Sequence, residues 1–145
     1  MAGSKGVISP FYSRDGRRVG SSTREGKLRK IPVTGGGSIT LSEDVAGDYK
    51  VATWLDDQTI VYSTRSWMAR ISADGGPGTA RPLRKPGVAG VATVWGVPGS
   101  KGVLMTVCNG NCAVQSDVYV YDFAAATARL LVPQAAGAWL SAKGP

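Results

Sequence analysis

At 145 residues and 15.0 kDa, with 43% hydrophobic and 19% charged residues, the chain is composed like one globular domain and not like a disordered segment. Its 20 glycines and 8 prolines recur along the whole length, which excludes long helices and points to an all-β fold. The net charge of +7 comes without a single histidine, so a histidine-assisted triad is excluded while partners of negative charge stay in view.

Met1 to Pro10 holds one lysine, two glycines and no apolar run, unlike a secretory signal. No later segment reaches the roughly 18 consecutive apolar residues of a membrane span. The expectation is a cytoplasmic protein with no membrane span, and it lapses if the chain is a piece of a longer one.

Three repeats follow, at roughly 8–48, 49–86 and 88–134. The first reads Pro10-Phe-Tyr-Ser-Arg-Asp15-Gly16, then Arg17-Arg-Val-Gly-Ser-Ser22, then Gly26-Lys-Leu-Arg-Lys-Ile-Pro-Val-Thr34-Gly35-Gly36, then Ser38-Ile-Thr-Leu41. The second reads Val51-Ala-Thr-Trp-Leu-Asp56-Asp57, Thr59-Ile-Val-Tyr-Ser-Thr64, Trp67-Met-Ala-Arg-Ile-Ser-Ala-Asp74-Gly75-Gly76 and Ala80-Arg-Pro-Leu83. The third reads Val91-Ala-Thr-Val-Trp-Gly-Val-Pro98-Gly99, Val103-Leu-Met-Thr-Val107, Asp117-Val-Tyr-Val-Tyr-Asp-Phe123 and Ala128-Arg-Leu-Leu-Val132. Each repeat thus carries four short runs rich in Val, Ile, Thr, Tyr and Trp between Gly, Asp and Asn turns, the pattern of an antiparallel meander.

The step from Asp15 to Asp56 is 41 residues and that from Ile31 to Ile71 is 40, the period of four-stranded propeller blades. From Ile71 to Tyr121 the step is 50, and the surplus falls on the Cys108–Ser116 stretch, where a hairpin loop lengthens at small entropic cost. A two-sheet sandwich supplies strands but not this recurrence of matching turns. The spacing predicts residues 1–145 as a single domain of three four-stranded antiparallel β-propeller blades, with the start of a further strand at 135–145.

Phe11-Tyr-Ser-Arg-Asp15-Gly16, Gly26-Lys-Leu-Arg-Lys-Ile-Pro-Val-Thr-Gly-Gly36 and Ser72-Ala-Asp74-Gly75-Gly76 resemble TolB-type WD40-like propeller repeats, above all those attached to bacterial serine/threonine protein kinases. The resemblance covers about Ser9 to Val132 and implies half of a six-bladed ring. It departs at Arg14, where the family has proline, at Asp57, where the turn glycine is expected, and at Val97-Pro98-Gly99, which lacks the aspartate. No His-Arg-Asp loop, Asp-Phe-Gly or Gly-rich nucleotide loop is present, so kinase activity does not carry over.

Candidate chemical groups each have a simpler reading. Gly20-Ser-Ser-Thr-Arg-Glu-Gly26-Lys27 nears a phosphate loop, but Leu28 occupies the required Ser/Thr position, so it reads as a hairpin. The glycine runs at 35–37 and 75–78 read as turns. Glu43-Asp44 and Asp56-Asp57 are adjacent acids whose side chains point apart, without a histidine to share proton transfer. No catalytic residue, metal site or cofactor is expected. Cys108 and Cys112 flank Asn109-Gly110-Asn111 and form a candidate disulfide across a hairpin, although free thiols are expected in a cytosol and no further ligands exist for zinc.

Arg14, Arg17, Arg18, Arg24 and Lys27 form a candidate basic patch in the first repeat, read as solubilising strand-edge charge before nucleic-acid contact, because no aromatic platform is interleaved with it. Trp54, Trp67, Trp95 and Trp139 are expected to pack between blades. Three blades cannot close a ring, so both outer faces are left apolar. The functional expectation is a non-enzymatic binding or scaffold module that forms a homodimer, two times three blades, with Trp139 as a candidate dimer contact and a protein partner in view. Two alternatives stand beside it: a fragment of a larger sensor kinase or hydrolase whose catalytic domain lies elsewhere, and a binder of anionic surfaces or nucleic acid through the first repeat.

Overall fold

The computed structural model describes residues 6–46, 49–87, 90–108 and 116–134. Alternating side chains and closely spaced turns give three antiparallel sheets, each a four-stranded meander in chain order. Blade 1 consists of β1 (Val7–Tyr12), β2 (Arg18–Thr23), β3 (Leu28–Pro32) and β4 (Ile39–Ser42). Blade 2 consists of β5 (Ala52–Trp54), β6 (Thr59–Ser63), β7 (Met68–Ser72) and β8 (Arg81–Pro82). Blade 3 consists of β9 (Gly90–Gly96), β10 (Gly102–Cys108), β11 (Ser116–Asp122) and β12 (Thr127–Val132). The helical content among the described residues is one 3-10 turn at Pro98–Ser100. The all-β class and the three four-stranded blades are those the spacing predicts.

Backbone hydrogen bonds align the blades residue by residue. The first turn of each is closed by one N–H to C=O bond: Ser13 to Arg18 at 2.9 Å, Leu55 to Thr59 at 2.8 Å and Val97 to Gly102 at 2.9 Å. The steps from 13 to 55 and from 55 to 97 are both 42 residues. This corrects the pairing of Asp15 with Asp56, because the structural counterpart of Asp15 is Asp57. Asp15 Oδ1 accepts the Arg17 N–H at 2.9 Å, and Asp57 Oδ1 accepts the Thr59 N–H at 3.1 Å. The left-handed turn conformation therefore passes from Gly16 (φ 71°) to Gln58 (φ 64°), not to Asp57. In the third strands Ile31, Ile71 and Tyr121 lie opposite Val19, Ile60 and Val103, so these landmarks are equivalent.

The strand period of two sends alternate side chains to opposite faces, and the core is formed where neighbouring blades bring such faces together. Between blades 1 and 2, Leu28 and Leu41 meet Trp54, Ile60, Tyr62, Ala69 and Ile71. Between blades 2 and 3, Val51, Leu55, Val61, Trp67 and Met68 meet Val94, Val103, Met105, Val107 and Tyr121. Phe11 crosses to Trp54 with ring centroids 6.2 Å apart, and Trp67 meets Tyr121 at 5.0 Å. The connection from blade 1 adds a bridge from Val45 to Thr64 in blade 2.

Candidate functional site: the inner groove, its rims and the open faces

The first strands β1, β5 and β9 stand side by side and frame a groove of about 960 Å³. Phe11, Tyr12, Trp54, Trp95 and Arg14 line it together with small residues such as Ala52 and Thr53. Its rim is formed by the turns that follow these strands, and Arg14 joins all three blades there. Arg14 Nε pairs with Asp56 Oδ1 at 2.9 Å, and its Nη2 donates to the Gly96 carbonyl at 3.0 Å. Asp56 in turn accepts the Gly99 N–H at 2.8 Å, and the Asp57 N–H donates to Ser100 Oγ at 2.8 Å.

Further out on that rim, Arg18 lies 5.3 Å from the centroid of the Trp54 ring and donates to Gln58 Oε1 at 3.2 Å. The same oxygen accepts Trp54 Nε1 at 3.1 Å. Lys30 reaches the Ala73 carbonyl and Asp74 of blade 2, while Arg70 pairs with Asp57 at 2.6 Å and lies 4.2 Å from the centroid of the Phe123 ring in blade 3. Burial opposes the charge on Asp57, but the Thr59 hydroxyl and the Arg70 guanidinium outweigh it and hold the carboxyl below its usual range.

On the opposite rim Ser42 donates to Asp44, and Tyr62 Oη lies 3.0 Å from Ser42 Oγ and 2.8 Å from Asp44 Oδ1. Burial pushes the Tyr62 hydroxyl up to about 12, and the Asp44 carboxylate adds in the same direction. A second cleft of about 530 Å³ beside this cluster is lined by Glu25, Glu43, Thr64, Arg65, Ala80 and Pro82.

The candidate basic residues are divided by this arrangement. Arg14, Arg17 and Arg18 lie at the rim of the first turns, whereas Arg24 and Lys27 lie at the other end of β2, about 20 Å away for a six-residue strand. Lys27 is 3.9 Å from Glu43. Asp56 and Asp57 diverge, one to Arg14 and the other to Arg70. Cys108 ends β10 and is disulfide-bonded. Cys112 and Trp139 lie outside the described residues. Among the described residues no group of three or more His, Cys, Asp or Glu is placed to hold a metal ion, and no helix is long and apolar enough to cross a membrane.

Trp54 and Trp67 are buried between blades, as expected, but Trp95 is 44% exposed. By strand alternation it lies on the side of β9 away from blade 2, where no further blade stands among the described residues. Its neighbour Val94 points inward to the core. On the face of blade 1 that points away from blade 2, Tyr12 is 68% exposed and Ile8 is also open, while Leu131 and Val132 are open on the edge strand of blade 3. Sequence reasoning missed Arg14 as a link between blades. Its signal was opposite charge at equivalent turn positions, Arg14 in one repeat and Asp56 in the next.

No protein-family model matches the chain, and no curated protein matches it. Among solved structures, a chain of the nidogen–laminin complex matches with a TM-score of 0.69 and 16% identity, covering 88% of this chain and 48% of that one. The TolB structure from Agrobacterium tumefaciens matches with a TM-score of 0.65 and 15% identity, covering 88% and 46%. An oligogalacturonate lyase in complex with manganese matches at 0.55 and 14%, covering 85% and 40%. The nidogen and TolB matches are β-propellers, so the likeness establishes the fold, and the chain spans about half the length of each.

Proposed function

We propose that this chain is a non-enzymatic binding module, a half-ring of three blades that closes against a second copy of itself. The groove over β1, β5 and β9 then becomes part of the wall of the enclosed channel and the surface for a protein or small-molecule partner. One observation carries the reading. Tyr12 occupies in blade 1 the position that Trp54 occupies in blade 2, yet Tyr12 is 68% exposed and Trp54 is 2% exposed. A side chain of the kind that the internal junctions bury is thus left open on the outer face.

The length relation supports the same reading, since the matched propeller chains are about twice as long. The likeness of the turn motifs to kinase-attached propellers supports a recognition role over a catalytic one. The engagement of Arg14, Arg18 and Lys27 with acidic groups supports a structural use of the basic residues over nucleic-acid binding. The length relation also favours a second reading, in which further blades of a longer polypeptide cover the same faces. Light scattering decides between them: self-assembly gives twice the 15.0 kDa mass of one chain at micromolar concentration. A monodisperse, cooperatively folded single chain would rule self-assembly out.

A further inference from the structure

The two outer faces carry complementary halves of the junction already present between the blades. In that junction Phe11 leaves blade 1 and meets Trp54 of blade 2 at 6.2 Å, with the rings tilted by 56°. The turn bonds of Ser13, Leu55 and Val97 place Trp95 in the position of Phe11, two residues before the anchor. They place Tyr12 in the position of Trp54, one residue before it. Each is exposed, and they stand on opposite outer faces of the same chain.

A second pair of positions changes in concert. Lys30 of blade 1 reaches the Ala73–Asp74 turn of blade 2, and its counterpart Arg70 lies over Phe123 in the same turn of blade 3. The next counterpart is Val120, where the cation has given way to an aliphatic side chain. The turn position shared by Ala73 and Phe123 is Val33 in blade 1, set by the equivalent N–H bonds of Val33, Ala73 and Phe123. Val33 is 44% exposed. An apolar group therefore stands on each side of the junction still to be made.

We infer that blade 3 of one copy docks on blade 1 of a second copy by repeating the internal junction, Trp95 against Tyr12 and Val120 against Val33. The inference rests on the self-assembly reading above. The contact is head-to-tail, and with each chain supplying half of a ring two such contacts close it into a dimer. Both sides of the contact belong to this chain, which is why the occupant is a second copy and not an unrelated partner.

The test uses purified wild-type chain, Tyr12→Glu, Trp95→Glu and an equimolar mixture of the two variants, followed by sedimentation velocity. Wild type is expected as a dimer. Each variant alone, with both of its junctions altered, should dissociate at least about tenfold more readily. The mixture should recover a heterodimer, because Trp95 of the Tyr12→Glu chain meets Tyr12 of the Trp95→Glu chain in one intact junction. If Trp95→Glu loses the wild-type far-ultraviolet spectrum, Val33→Glu on the exposed turn takes the place of Tyr12→Glu and Val120→Glu that of Trp95→Glu. A dimer unaffected by these changes overturns the junction while leaving self-assembly intact. A folded wild-type monomer overturns both, and a mass above two copies overturns the closed ring.

Discussion

Replacing Gly20 with alanine probes the junction between blades 1 and 2 with a single methyl group. Gly20 is buried in β2, opposite Phe11 of β1 and Lys30 of β3. A Cβ there overlaps Phe11 Cε2 and Cζ and stands 2.9 Å from Cδ2. The φ of Gly20 is outside the left-handed region, so alanine adds no backbone strain. Taken alone, the loss of unfolded-state freedom would stabilise by about 0.4–1 kcal/mol. Overpacking a filled core costs about 1–3 kcal/mol. The second effect wins because the half-buried Phe11 ring must turn out towards the groove it lines and give up its contact with the Trp54 ring, 6.2 Å away. The net expectation is a loss of about 1–2 kcal/mol, or a Tm lower by roughly 2–8 °C for a domain of this size. Urea and thermal unfolding should be followed at fixed protein concentration, because the midpoint of any associating protein depends on it. The informative comparison is with a Phe11→Ala background, where the added methyl occupies space vacated by the ring and Gly20→Ala becomes neutral or stabilising. Equal destabilisation in both backgrounds, or a stabilised single variant, would refute the packing argument.

Asp57 ionises more readily in the fold than in the unfolded chain, so its contribution is complete above the ordinary carboxylate pKa of about 4 and is lost as pH falls through its lowered value. Asp57→Asn should therefore flatten the acid limb of stability against pH, measured as urea midpoints between about pH 2 and pH 7, and an unchanged limb would count against the Arg70 pairing. Tyr62 has the opposite sign, because its neutral form is favoured by the fold; stability is complete below the ordinary tyrosine pKa of about 10 and falls as pH rises towards about 12. Tyr62→Phe should take one tyrosine out of the late part of the ultraviolet tyrosinate titration, leaving Tyr121, which burial also raises, and cost about 1–2 kcal/mol through the lost contacts to Ser42 and Asp44. A wild-type titration without any late tyrosine would contradict this assignment.

The sequence by itself determined the strands, their turns and their near-constant period, because alternation and turn chemistry act over a few neighbouring residues. The absence of histidine and of nucleotide or nucleophile motifs likewise needed no coordinates to read. The alignment of the second repeat was legible only to within one residue, since the adjacent acids Asp56 and Asp57 look alike in sequence. The structure separates them by partner, Arg14 for one and Arg70 for the other. Trp54 and Trp95 were indistinguishable as strand aromatics, yet one is buried and the other open. Which face of a strand is covered depends on whether another blade stands beside it, and that neighbour lies some forty residues away in sequence. Tertiary structure alone therefore decided that Arg14 ties three blades together and that Tyr12 and Trp95 are exposed.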